Sequence, residues 1–322
     1  MLSRRDTLLG MAGTMLTSAA HAAPPSSIAV TAAEVPRPAL PASEQLMYSA
    51  VRLYNQTSDV LRWGTGFLFS LFNTTDSSVP VIVTNAHVVN GWDKCSFSLT
   101  GRRDDGTPDL EHHIPVEISQ FSAAHIPHPN ADLTIIPIAG LLEDLKKRNT
   151  APFFITLDQS LIPTSDELNT LTPVEQIITV GFPGRIWDDV HNLPVFHVGY
   201  TESAPYIDFK GVKEFLIDIT TWPGSSGSPV LLFNEGAYAG REGGLVVGTR
   251  IKLLGVAYGV ATQDVTGDIV IQNAPTQIKM TGQMQVPTNL GACIMASRIL
   301  EFEPILVARG FKPPQGYILR AK

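Results

Sequence analysis

The sequence predicts an all-β protein made of many short strands, a sandwich or a barrel, and three observations predict it. Apolar residues come in short runs, at 67–72, 79–83, 113–118, 133–138, 176–182, 214–219, 230–233 and 253–260. Most of these runs are rich in Val, Ile and Phe and end near Gly, Pro, Asn or Asp, as strands do. Charged residues make up only 16% of the 322 residues, beside 26 Gly and 24 Pro, which suits turns better than the charged faces of surface helices. Helical signals are confined to two places. One is 141–147, a link between two β units; the other is 297–309, which opens on Ser297 as a cap, stops at Gly310 and carries Pro304 as a kink. With 44% hydrophobic residues the chain can fill one large or two small cores.

Charge and cysteine content narrow the function. The formal net charge is −7 and no Lys/Arg-rich run is present, so phosphate-backbone binding and nucleic-acid partners are not expected. Residues 1–22 read as an export signal. Arg4-Arg5 is followed by a short, weakly apolar run and by Ala20-His21-Ala22, an A-x-A cleavage site. The arginine pair is of the twin-arginine kind, although Thr7 stands where a bulky apolar residue is usual. A periplasmic or secreted location is therefore expected. Residues 23–45, rich in Ala, Pro and Ser, read as a flexible leader. No later stretch reaches the roughly 18 apolar residues of a membrane span. Cys95 and Cys293 are the only cysteines; one disulfide and two buried thiols are equally compatible with the sequence. They form no metal motif, and neither a metal nor a cofactor is expected.

Three segments carry chemistry. Pro223-Gly224-Ser225-Ser226-Gly227-Ser228-Pro229 precedes an apolar strand. A serine hydroxyl attacks only when a base takes its proton and donors await the developing oxyanion. Gly224 lets the backbone turn so that its N–H and that of Ser226 point to one spot, and Gly227 allows close approach of a substrate. Thr84-Asn85-Ala86-His87 ends a second apolar strand and puts an imidazole, the natural general base near neutral pH, in a short turn. Ala131-Asp132-Leu133-Thr134-Ile135 places Asp132 at the mouth of a third, where a carboxylate can fix the imidazole tautomer. The remaining histidines, His112-His113 in a polar turn and His125 with His128 around a proline, read as structural. An α/β-hydrolase needs its histidine after its serine, yet the last histidine is His197; a subtilisin-like order needs an aspartate before the histidine within an α/β pattern, which is absent.

Thr84-Asn85-Ala86-His87-Val88, Ala131-Asp132-Leu133-Thr134-Ile135 and Gly224-Ser225-Ser226-Gly227-Ser228-Pro229 together resemble the three active-site segments of chymotrypsin-like serine peptidases, particularly bacterial ones. Trp63-Gly64-Thr65-Gly66-Phe67 resembles the Gly-x-Gly-Phe strand before the histidine, and Ile178-Thr179-Val180-Gly181-Phe182-Pro183 the opening strand of the second barrel. The resemblance covers about residues 46–309. It implies two antiparallel β-barrels, at 46–140 and 141–322, the latter with the terminal helix. It also implies an endopeptidase with a His87, Asp132, Ser226 triad, an oxyanion hole of Gly224 and Ser226, and a polypeptide as substrate. A non-catalytic binding or regulatory domain on the same fold is the alternative.

The chain departs from that family in ways that bear on activation and specificity. Ser225 stands where an aspartate pairs with the freed N-terminus of trypsin-like zymogens, which argues against that activation mechanism. Ala257-Tyr258-Gly259 stands for Ser-Trp-Gly on the strand that pairs with substrate, and Ala257 lacks the hydroxyl that bonds the triad carboxylate. The resemblance puts Thr220 and Thr221 at the base of the specificity pocket. With no charge on Thr220, Thr221, Ala257 or Gly259, small or medium uncharged side chains are the expected occupants. Two long segments, 234–252 and 263–288, read as loops that fold over the cleft.

Overall fold

The structure, a computed structural model, describes residues 40–58, 60–184, 186–219, 222–259, 290–314, Tyr317 and Leu319 in full, and 17–18, 30–31, 260–269 and 280–289 by backbone alone. The first half of the chain forms one eleven-stranded sheet. Its main strands are β1 (Ala50–Gln56), β2 (Leu61–Leu71), β3 (Ser77–Thr84), β4 (Lys94–Arg102), β5 (Pro108–Ser119), β6 (Ile126–Pro127) and β7 (Thr134–Pro137). They pair antiparallel in the order β5-β4-β1-β2-β3-β7-β6. After the helix Ala139–Lys147 the chain returns to this sheet: Pro152–Phe153 pairs with β4 and Leu157–Asp158 with β2.

The second half closes a six-stranded antiparallel barrel, β8 (Gln176–Gly181), β9 (Val195–Thr201), β10 (Glu214–Asp218), β11 (Pro229–Asn234), β12 (Arg250–Ile269) and β13 (Met280–Met295), in the order β8-β9-β10-β13-β12-β11. The expected all-β, chymotrypsin-like fold with helix at the C-terminus is the fold observed.

Burial explains why the apolar runs were legible. In β3, Val81 and Val83 enter a cluster shared with the second barrel, whereas Ile82 points into the interior of the first sheet. In β8, Ile178 and Val180 join the shared cluster and Ile177 the second barrel's own core. Strands buried on both faces are continuous in hydrophobicity rather than alternating. Phe67, Phe69, Leu231, Val256, Ile299 and Phe302 also meet in the shared cluster, so it joins both sheets to the terminal helices. Truncating a fully buried phenylalanine such as Phe302 to alanine would cost roughly 3–5 kcal/mol.

Three expectations need correction. In segment 263–288, residues 263–269 and 280–288 are strand rather than loop: they continue β12 and β13, paired from Thr262 with Pro287 to Ile269 with Met280, and 270–279 lie outside the described residues. The segment's Thr, Val and Ile favour extended backbone, but no long apolar run marks it. Segment 234–252 contains a separate hairpin, Ala237–Ala239 with Leu245–Val247. The terminal helix is two helices, Ser297–Leu300 and Phe302–Ala308, and Ala296 rather than Ser297 is the cap of the first. Pro304 has no N–H for the carbonyl four residues back, so the ladder breaks near Glu301. The end at Gly310 is as expected. Gly310 takes φ +92°, its N–H donates to Val307 O, and Phe311 N–H reaches Leu306 O, a Schellman closure.

Cys95 lies in the core of the first sheet and Cys293 in that of the second barrel; both are buried free thiols. Desolvation pushes both thiol pKa values up, so neither is a poised nucleophile.

Candidate active site

His87 lies in a single helical turn, Ala86–Val89, where β3 ends. Thr84 closes the strand by donating its hydroxyl to Thr65 O at 2.7 Å. Asn85 donates its amide to Asp132 O at 2.8 Å, which ties the histidine turn to the aspartate loop. Asp132 holds His87 at two points. Its Oδ1 accepts the His87 backbone N–H at 2.9 Å, and its Oδ2 lies 2.5 Å from His87 Nδ1. A carboxylate on Nδ1 keeps the proton there and leaves Nε2 as the basic ring nitrogen. The pair is half-open to solvent, with side-chain exposures of 48% for His87 and 31% for Asp132.

The serine loop is shaped by backbone rather than by side chains. Ser225 N–H donates to Trp222 O at 2.9 Å, with Pro223 and Gly224 at the turn's centre and Gly224 at φ +98°. That is the residue order of a type II turn. Pro223 O accepts Gly184 N–H, so the Gly224 N–H on the opposite side of that peptide faces away from Gly184. The N–H groups of Gly224 and Ser226 have no partner among the described residues. A Cβ on Gly224 would lie 2.5 Å from Trp63 Nε1 and 2.7 Å from Phe182 O. At Gly227, with φ +89°, it would collide with the Thr65 carbonyl. Ser226 Oγ donates to Tyr258 O at 3.3 Å, and among the described residues no hydrogen bond joins it to His87.

Thr65 is the joint between the two halves and was missed as a functional residue. Its N–H donates to Ser226 O at 3.0 Å, its hydroxyl donates to Gly224 O at 2.8 Å and accepts Phe182 N–H at 2.9 Å. A threonine between two glycines was the signal available in the sequence; its complete burial emerges only in the structure. Of the expected substrate-binding residues, Ala257 is buried and stitched to the serine loop through Gly227 N–H and Ser228 O, and Tyr258 and Gly259 follow half-buried on β12. Thr220 and Thr221 lie outside the described residues. Glu214 was also missed. It accepts the Tyr258 hydroxyl at 2.7 Å, and burial with this carboxylate pushes the phenol's pKa up. Among the described residues no cluster of His, Cys, Asp and Glu could hold a metal ion, and no helix is long and apolar enough to cross a membrane.

A two-sheet β fold with an acid-gripped imidazole and a glycine-shaped serine loop is the architecture of a serine-type peptidase. Residues 64–240, just over half of the chain, match the family of the trypsin-like peptidase domain, and the chain belongs to that family. No curated protein sequence matches it. Its structure is similar to that of the serine endoprotease from Yersinia pestis, at 12% identity and TM-score 0.42, over 83% of this chain and 66% of the Yersinia chain. The chain thus spans just under two thirds of that protein's length. It is similar also to the Rv3671c protease from M. tuberculosis, at 16% identity and TM-score 0.40, over 94% of this chain and 97% of the other. A third is tobacco etch virus protease, at 13% identity and TM-score 0.36, over 67% and 69%.

Proposed function

We propose that this serine peptidase is an exported endopeptidase that cleaves polypeptides through a His87, Asp132, Ser226 triad and an acyl-enzyme. The observation that carries the proposal is the double grip of Asp132 on His87, which leaves Nε2 free to act as the base. The Ser226 hydroxyl turns from Tyr258 O toward Nε2, gives up its proton to it, and Oγ bonds to the scissile carbonyl carbon. The carbonyl π electrons move onto oxygen, where the N–H groups of Gly224 and Ser226 stabilise the charge. His87 then passes its proton to the leaving amine as the C–N bond breaks. Water, deprotonated by the same Nε2, attacks the ester and restores Ser226. That the serine and histidine are unbonded without substrate is ordinary, since such contacts tighten in the Michaelis complex.

Export rests on Arg4-Arg5 and Ala20-His21-Ala22, which lie outside the described residues. A fluorophosphonate probe tests the chemistry: it should label the wild-type chain and not Ser226→Ala. A folded wild-type protein that resists the probe would point instead to a non-catalytic domain.

A further inference from the structure

His128 takes no part in the steps above, yet it is the most enclosed imidazole near the site, with a side chain 1% exposed. Its Nδ1 accepts the Asn130 N–H at 3.1 Å, and its Nε2 lies 3.1 Å from Glu301 Oε2. A nitrogen that accepts an N–H carries no proton, so the proton sits on Nε2 and is donated to the carboxylate. The ring is neutral and in one tautomer. Around it the loop closes on itself: His128 N–H donates to Leu133 O at 2.8 Å and Leu133 N–H to Ala131 O at 2.7 Å. Asp132 is carried inside that closure. From the other side of the molecule, Arg298 donates to Asn130 O at 2.8 Å and to both oxygens of Glu301 at 3.0 and 3.3 Å. Lys213 lies 3.6 Å from Glu301 Oε1, and the Phe302 ring packs edge-on against His128 at 5.3 Å.

We propose that His128, held by Glu301 and Arg298 from the C-terminal helices, is a positioning residue that sets the Asp132 loop against His87. The proposal rests on the triad reading of the site. A proton added at Nδ1 would turn it from acceptor to donor and face it against the Asn130 N–H, so the loop would lose its inner support. The groups around the ring oppose one another. Burial, the largest influence, and Arg298 disfavour the charged ring, while Glu301 favours it, and the pKa lies below the ordinary histidine value. The neutral, loop-holding form therefore prevails near neutral pH and gives way in acid.

The mechanism then needs two neutral imidazoles, His87 as base and His128 as support. In the full chain, kcat/KM for a peptide should fall on the acid side with a slope that steepens beyond one toward two as His128 is protonated. In His128→Asn, whose Oδ1 still accepts the Asn130 N–H but cannot titrate, the slope should be one. Glu301→Gln removes the charge that favours protonation of His128 and should move that step to lower pH. His128→Ala should lower kcat roughly 100-fold with KM unchanged, the effect of displacing a catalytic group by about 1 Å. Proton NMR of the Ser226→Ala chain supplies a readout independent of turnover. The low-field His87 Nδ1–H resonance should shift or broaden as His128 titrates. Equal acid slopes in wild type and His128→Asn, with that resonance indifferent to His128, would overturn the proposal. If the chain hydrolyses no peptide but the resonance follows His128, the positioning stands and the endopeptidase reading falls.

Discussion

The two halves of the site are built in different currencies. On the first sheet the chemistry is set by side chains: the Asp132 carboxylate grips His87 and the Asn85 amide ties their loops together. On the second barrel it is set by main chain: positive φ at Gly224 and Gly227, N–H groups at Gly224 and Ser226 without a partner among the described residues, and a Pro223 carbonyl turned to Gly184. Thr65 belongs to the first sheet, but its hydroxyl bonds main-chain groups of the second half, Gly224 O and Phe182 N–H. A side-chain site fails by losing a charge or a tautomer with its shape intact. A main-chain site fails by changing shape.

The sharpest break should come at Asp132→Asn. The fold should persist, because Asn85 still reaches the Asp132 backbone, while kcat falls roughly 10⁴-fold through loss of the tautomer. Steady-state kinetics beside circular dichroism check this, and a near-normal rate would mean that another carboxylate serves His87. Gly224→Ala should lower kcat by about 10²–10³-fold, as loss of one oxyanion donor does, because the new methyl group meets Trp63 and Phe182 O and forces the turn to move. Fluorophosphonate reactivity, which draws on the same oxyanion donors, should fall together with kcat.

Thr65→Val tests the joint itself. It leaves Gly224 O and Phe182 N–H buried without their partner and should destabilise the protein by about 2 kcal/mol, measured by urea unfolding. An unchanged midpoint would show that the two halves are held by the shared core alone.

A smaller effect concerns pH and stability. Burial lowers the pKa values of His125, His128 and His197 below the ordinary histidine value. A folded-state pKa below the unfolded one means that the unfolded chain binds more protons as the solution is acidified. Stability should therefore decline as pH falls through the ordinary histidine value near 6.5, and level off below the folded values. Thermal unfolding between about pH 5 and pH 8 checks the direction. The smallest contrast is specificity. A peptide library should favour small or medium uncharged residues before the scissile bond; strong selection of Lys or Arg would implicate Glu214, the carboxylate bonded to Tyr258 beside the serine loop.

The strands buried on both faces, such as β3 and β8, were legible as apolar runs. Strands β1, β4, β9 and β13 were not. In β4 the buried Cys95, Phe97 and Leu99 alternate with Ser96 and Ser98, so only a period of two betrays the strand. The outward face of β9 exposes Phe196, Val198 and Tyr200, an arrangement that burial-based reading does not anticipate.

What the sequence determined by itself was local. Three short segments, each at the end of an apolar strand, carry residues whose chemistry is nearly unique in combination, and turn chemistry around Gly224, Gly227 and Gly310 requires glycine wherever it is met. What only the tertiary structure decided were pairings across long separations. Cys95 and Cys293 are kept apart because each faces a different core. Thr65 meets Gly224 across 159 residues and His128 meets Glu301 across 173. No periodicity links such positions. They are neighbours because two β layers close on a common core, and burial there obliges each polar group to find its partner wherever the fold has brought one.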